Sequence, residues 1–488
     1  MHVPARMTRG EHGHILASAV SLVVVGVILL TLGLGMAVGI IGLFVPILVI
    51  SASVLLILLL LRQDEWIAVA LLMLSLYVDW YQGHLLLTPV LTGALLLIFF
   101  LARSPQYNWS KPCALWLWML YLVLALFPAL EGSLTRYDAA FYYPNIVCGA
   151  FLMFWLGTVL ARDVRRLRRF FKILAALATC LAIITIIQDR TGILLLGTTR
   201  FDISLASVSN YNIFQGSNVY RLGSFFVNPD WNGAFFATLL CIPLGLCLDC
   251  LRLSGKIFYL TQALIILPAL LFTYSIGSWA STGVGILAFV LLSRRMHYRI
   301  GIALFIIMGA LILLILFPEQ IALLLRHGSD PTTLMLRNGA WHTAMRVIQA
   351  HPFTGIGLGL QAYMRRAEPY RVPEQYRLLA HPHNSYLELG AMAGLPVLAC
   401  FVGLILYALG RALCNWRRID SKQSALLGGG IAAIIALSTN SLSVNAWTLP
   451  PLAACGWLIL GLISSPLLSA EKNKDNEKGI THELTHAT

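Results

Sequence analysis

The chain has 488 residues, of which 58% are hydrophobic and 11% charged, and its mean hydropathy is +0.79. A soluble domain carries about 25% charged residues, so the composition excludes a water-soluble globular fold and predicts repeated membrane crossings. The net charge of +13 does not point to nucleic acid, because the basic residues sit in small clusters between apolar runs and form no compact basic domain.

In chain order, apolar runs predict spans near 15–35, 39–61, 66–80, 84–101, 113–130, 145–161, 173–187, 231–249, 257–275, 277–293, 301–317, 384–408, 423–440 and 447–466. The first uncharged run, Ile15 to Leu61, is long enough for two spans and too long for a signal peptide. The third and fourth runs are short enough to be re-entrant, which gives a bundle of about 12–14 transmembrane helices. The chain then divides into N-terminal helices (1–187), a central membrane region opening with an Arg-containing loop (188–317), a long outer loop (318–383), C-terminal helices (384–466) and a charged tail (467–488), expected to be disordered and cytoplasmic.

Loop charge sets the orientation. One set of loops, with both termini, holds 23 of the 34 basic residues and every lysine, so it is assigned to the cytoplasm. The opposite set holds the other 11, all arginines, ten of them in segments 188–230 and 318–383. Loops this long escape the charge bias, so a merely solvated surface is one reading. The other is a site for an anionic ligand, because a guanidinium matches phosphate oxygens with a planar fork. Within the long loop, Thr332 to Ala350 carries apolar residues at helical spacing after an Asp330-Pro331 start signal. On this amphipathic helix Arg337 and Trp341 share a face.

Two short segments carry the candidate chemistry. Ala380 to Val397 (AHPHNSYLELGAMAGLPV) places His381 and His383 where the polar loop meets an apolar span. Such histidines can be simple interfacial residues, but an imidazole also titrates near neutrality and can take a proton from a sugar hydroxyl. Asn384 would orient that base or bind substrate. Gly390 and Gly394 read as helix-packing residues. Upstream, YRLGSFFVNPDWNG puts Arg221 before a span within irregular backbone, which is tolerated at membrane depth where it lines a cavity. The alternative is an arginine snorkelling at a helix end.

Other motifs are set aside. His482-Glu483-Leu484-Thr485-His486 matches H-E-x-x-H formally but lies in the charged tail with no third ligand. Gly355, Gly357 and Gly359 lack the spacing and βαβ context of a dinucleotide loop. Gly33, Gly35 and Gly39 read as packing residues. The nine cysteines lie mostly in or beside apolar segments and show no metal spacing, and Cys247-x-x-Cys250 has no redox fold around it. No cofactor or metal is called for.

The order of these features resembles the O-antigen ligase and polymerase superfamily. The resemblance rests on Arg337 and Trp341, then His351-Pro352-Phe353-Thr354-Gly355-Ile356-Gly357-Leu358-Gly359, then His383-Asn384-Ser385-Tyr386-Leu387, with RLGSFFVNPDWNG and the serine-rich SIGSWAST upstream. It covers about 219–400. The chain departs from the family in lacking an arginine in the serine-rich turn and an acid at Met392, so any role for that acid is lost or moves to Glu388. The resemblance implies a GT-C-like all-α fold in the bacterial inner membrane, with cytoplasmic termini and a partly helical periplasmic loop. It implies metal-independent transfer from a glycan on undecaprenyl pyrophosphate to a glycan or lipid A–core acceptor. His383 would be the base, Arg221 and Arg337 would hold the pyrophosphate, and His381 and Asn384 would contact substrate. Membrane lipids are the surroundings, and nucleic acid is not a partner. The competing reading, a lipid-linked glycan flippase or polysaccharide transporter, predicts internal repeats and mid-span charges, and neither stands out in the sequence.

Overall fold

The computed structural model describes residues 92–93, 96–97, 112–133, 138, 142–191, 219, 221–226, 228–374, 379, 381–421 and 423–468. The chain divides into two units, Met1–Leu74 and Ser75–Thr488, and all described residues fall in the second. The first three predicted spans, most of the fourth, the Gly33–Gly39 stretch and the tail with its H-E-x-x-H match lie outside them.

Among the described residues every regular element is helical, as the composition predicts. They are α1 (Leu115–Gly132), a π-helical turn Tyr142–Cys148 running into α2 (Gly149–Leu160), α3 (Val164–Thr191), α4 (Pro229–Leu239), α5 (Cys241–Asp249), α6 (Leu253–Phe272), α7 (Ile276–Leu292), α8 (Met296–Leu316), α9 (Pro318–Gly328), α10 (Pro331–Ala350), α11 (Leu360–Arg366), α12 (Ser385–Arg418), α13 (Ser424–Asn440) and α14 (Pro450–Ser464). Seven helical stretches are long and apolar enough to cross a membrane, and α7, α13 and α14 are shorter apolar helices. These ten coincide with the last ten predicted spans, so the chain is a multi-pass all-α membrane protein. α4 and α5 form one span, Pro229–Asp249. Its interruption falls where Pro243 lacks the N–H that would close on the Leu239 carbonyl.

Packing follows the membrane rule that small residues bring backbones together. On α2, a Cβ at Gly157 would stand 2.4 Å from the Leu458 carbonyl oxygen of α14, and one at Gly461 would stand 2.2 Å from that of Phe154. Large aromatics fill the space beside this contact: Trp118, Phe154, Trp447 and Trp457 are fully buried, with Trp457 centred 5.0 Å from Trp118 and 4.9 Å from Trp447. α8 does the opposite. Only 22% of its apolar window is buried, and Leu304, Ile307, Leu311 and Ile315 are more than half exposed, as expected of a helix facing lipid.

α12 contains a break that Gly394 was not expected to make. Gly394 has φ 84 and ψ 165 inside the helix, so it is a kink as well as a close-packing residue. Pro396 has no N–H for the Met392 carbonyl, and the Leu395 N–H donates to the Pro352 carbonyl (2.7 Å) rather than back along the helix. The freed carbonyls of Ala391 and Met392 accept from Ile356 (3.0 Å) and Gly357 (2.9 Å), and the Leu358 N–H donates to the Pro128 carbonyl of α1 (2.7 Å). The glycine-rich turn 351–359 is thus a backbone clamp that fastens the long loop to α1 and α12. A Cβ at position 394 would lie 2.3 Å from the Phe353 carbonyl oxygen, at a positive φ. Gly394→Ala is therefore expected to lower the thermal unfolding midpoint sharply and to expose 351–359 to limited proteolysis, through about 1–3 kcal/mol for a side chain in this positive-φ extended backbone plus the overlap. Gly390 keeps its packing role, with Ile348 of α10 against it.

Among the described residues, the two classes of connection separate to opposite ends of the bundle. Arg294 donates to the carbonyls of Ile419 (3.1 Å) and Trp416, and Arg295 to Ser421 Oγ (2.8 Å), so two of the Lys/Arg-rich connections meet. The Arg221 segment, α10 and the start of α12 gather at the other end. The thiols of Cys247 and Cys250 donate to the carbonyls of Lys256 (3.5 Å) and Arg252 (3.6 Å), and both cysteines are free.

Candidate functional site

The site is built where α4, α6, α7, α10 and α12 end or begin. The N-terminus of α4 is fixed by the sequence Asn228-Pro229-Asp230: Asn228 caps it by accepting from the Asp230 N–H (2.9 Å), and Pro229 occupies the first turn, where no N–H is needed. This places the Asp230 carboxylate, 7% exposed, at the helix end that favours negative charge.

Asp230 joins the two arginines. Arg221 donates through Nη2 to Asp230 Oδ1 and through Nε to the Thr273 carbonyl (3.0 Å). Arg337 on α10 donates through Nη2 to Asp230 Oδ2 (3.1 Å). One carboxylate thus holds two guanidiniums from segments more than a hundred positions apart, and the cluster carries a net +1. Arg221 is the better fastened, because the Leu222 N–H also bonds the Phe272 carbonyl (3.1 Å) and Asn232 Nδ2 bonds the Leu222 carbonyl (3.1 Å). Buried hydroxyls continue the network below. Asn440 donates to Ser278 Oγ (3.0 Å) and Ser281 Oγ (2.9 Å), and Ser278 donates to Ser275 Oγ (3.0 Å). The serine-rich stretch therefore contributes the start of α7 beneath the arginines.

His383 comes to this cluster from α12. Asn384 is the N-cap, with Oδ1 accepting from Tyr386 (3.0 Å) and Leu387 (3.1 Å) and Nδ2 donating to the Leu442 carbonyl (3.0 Å). Its side chain is thereby committed to fixing the helix start. His383 has φ 51, a left-handed backbone that histidine enters more readily than most residues. Its N–H donates to His381 Nδ1 (3.3 Å), and the two rings meet edge to face at 4.3 Å. Ser224 and Tyr274 also have positive φ. Three of the four non-glycine residues with this backbone among the described residues therefore border the site, the pattern of local strain held by surrounding structure.

The field at the imidazole is cationic. Burial lowers the His383 pKa first, the Arg337 and Arg221 charges lower it further, Asp230 opposes them, and the result is about 4. Burial and the neighbouring His383 hold His381 well below its ordinary value. Both rings are neutral at pH 7. His383, Arg221 and Arg337 are thus within electrostatic reach of one another, while His381 and Asn384 stand beside them as supports.

Sequence reasoning missed Asp230. The helix-start signal was legible, but its pairing with Arg337 joins positions 107 apart. The arrangement sets a neutral imidazole within reach of two guanidiniums that one carboxylate holds.

Residues 262–402 match the family model described as O-antigen ligase. The matched stretch runs from α6 into α12 and includes Arg337, the glycine turn, His381, His383 and Asn384; Arg221 and Asp230 precede it. No curated protein matches the chain. The chain is therefore similar to O-antigen ligases over this stretch, which supports a membrane enzyme that ligates or polymerises glycans.

Proposed function

We propose that the chain transfers or polymerises a glycan carried on undecaprenyl pyrophosphate, at the outer face of a bacterial inner membrane, in a GT-C-like bundle and without a metal ion. The observation that carries this reading is the placing of a neutral, partly buried His383 within the field of two arginines shared by Asp230. His383 accepts the proton of an acceptor hydroxyl as that oxygen attacks the anomeric carbon. The bond between the anomeric carbon and the phosphate oxygen breaks, its electron pair stays on that oxygen, and undecaprenyl pyrophosphate departs. Arg221 and Arg337 stabilise the charge that grows on the phosphate oxygens. His381 supports the His383 backbone, and Asn384 sets where α12 begins. The acceptor is a glycan or the lipid A–core, and both termini lie in the cytoplasm.

The arginines make His383 a weak base before substrate arrives. An anionic pyrophosphate would offset their charge and raise the imidazole pKa when the proton must move. His383 must be neutral to act, so activity is lost as pH falls through its pKa. For free enzyme, kcat/KM should hold well below pH 6.5 and fall on an acid limb toward about pH 4. The acid limb of kcat, which reports the bound complex, should lie higher. A reconstituted assay with lipid-linked donor tests the proposal. No transfer to either acceptor class, or acid limbs unchanged by His383→Ala, would sink it.

Orientation has its own test. In a cysteine-free background, Arg365→Cys should react with an impermeant thiol reagent in intact spheroplasts, and Arg418→Cys should react only after lysis; both positions are exposed. The reverse pattern would invert the topology.

A further inference from the structure

At the end of the bundle opposite the arginine–histidine site lies a cavity with charged walls. Asp230 and Asp249 stand at the two ends of the α4–α5 span, 19 residues apart, about 28 Å at helical rise, close to the roughly 30 Å hydrocarbon core of a bilayer. Around Asp249 a cavity of ≈ 270 Å³ is lined by Arg168 and Lys172 of α3, Arg252 before α6, Tyr259 and Leu251.

Arg168 is held in place. Its Nε donates to Asp249 Oδ2 and its Nη2 to Oδ1 (3.2 Å), which also offsets the cost of an acid at the C-terminal end of α5. The fork uses two of five donors, so Arg168 can still face a ligand. Asp249 is cancelled by this pair, while Lys172 and Arg252 are exposed and add two positive charges to the rim. The same connection projects Leu251 (84% exposed) and Leu253 (72% exposed), with Ile257 and Phe258 one turn further. Exposed leucines around a cationic recess suit the headgroup boundary of a membrane, where chains meet the leucines and phosphate meets the cations.

We propose that this cavity binds the phosphodiester headgroup of an anionic phospholipid, with Lys172 and Arg252 contacting the phosphate and Arg168 fixed by Asp249 as the rigid wall. The site is separate from the glycan site and does not depend on the glycosyl-transfer reading. Two basic residues near a membrane surface favour an anionic over a zwitterionic headgroup by a factor on the order of 30.

The test uses the full chain purified in mild detergent, with bound lipid followed by native mass spectrometry and melting followed in parallel. Phosphatidylglycerol should be retained on the order of 30-fold more strongly than phosphatidylcholine and should raise the melting midpoint. Lys172→Gln with Arg252→Gln should abolish this preference and leave melting in phosphatidylcholine unchanged, since both side chains are exposed. Arg417→Gln with Arg418→Gln, a charge-matched pair on the exposed end of α12, should preserve it. An unchanged preference in the first double variant, or an equal loss in the second, would overturn the site. Competition by sn-glycerol 3-phosphate at concentrations equal to the lipid would overturn the lipid assignment in favour of a soluble phosphate.

Discussion

His383→Ala is expected to reduce glycan transfer by about 10²–10⁴-fold, the usual contribution of a general base, while binding of the lipid-linked donor persists. Arg221, Arg337 and Asp230 hold one another independently of the imidazole, so the cluster outlives the substitution. His381→Ala should be milder: it removes the acceptor of the His383 N–H and the edge contact between the rings, which loosens the base without deleting it. Donor binding and single-turnover transfer measured on the same preparation separate these outcomes. Normal turnover in His383→Ala would place the base elsewhere. Loss of donor binding in that variant would make His383 a binding residue.

The second large effect is at Arg221. Arg221→Lys keeps the charge but cannot both reach the Thr273 carbonyl with Nε and hold Asp230 with Nη2, because an ammonium is a point charge without the planar fork. Transition-state stabilisation should fall by about 2–4 kcal/mol, as for loss of a key oxyanion donor. Arg337→Lys should cost less, since Arg337 makes a single bond to Asp230 and is more exposed than Arg221. The comparison is of kcat/KM for both variants, with membrane insertion verified by yield and melting. Equal, near-wild-type activity in both would remove the couple from the site.

The spans were legible because a bilayer imposes a length and an apolar content that hydropathy reads directly. The last ten predicted spans match helices for this reason, though boundaries shift where charged residues continue a helix: α3 begins at Val164 and α12 runs to Arg418. Arg221 and His383 stood out as polar groups at span edges and Arg337 as a basic residue on the amphipathic helix of the long loop, and the structure brings them together. The left-handed backbone of His383 was not legible, nor was the use of Asn384 as a cap rather than as a free side chain. Gly394 showed the limit of spacing rules: at four residues from Gly390 it fits a packing pair, and nothing local reveals that a distant turn will take its neighbours' carbonyls. Asp230 was hidden for the same reason, since its meaning lies in two arginines supplied from elsewhere in the chain.

The exchange of backbone bonds between 351–359 and the break in α12 bears on protein engineering. A loop held only by side chains can be transplanted between related scaffolds. Here the graft carries half of a hydrogen-bonded seam whose other half is the carbonyls of Ala391 and Met392 and that of Pro128 on α1. Domain-swap chimeras should therefore move 331–396 as one cassette and keep the end of α1 compatible with it. Insertions are best placed at Arg371, Pro373 or Glu374, which are exposed and lie beyond the seam. Chimeras cut between Gly359 and Ser385 would join two halves of different seams and leave polar backbone unpaired beside the membrane.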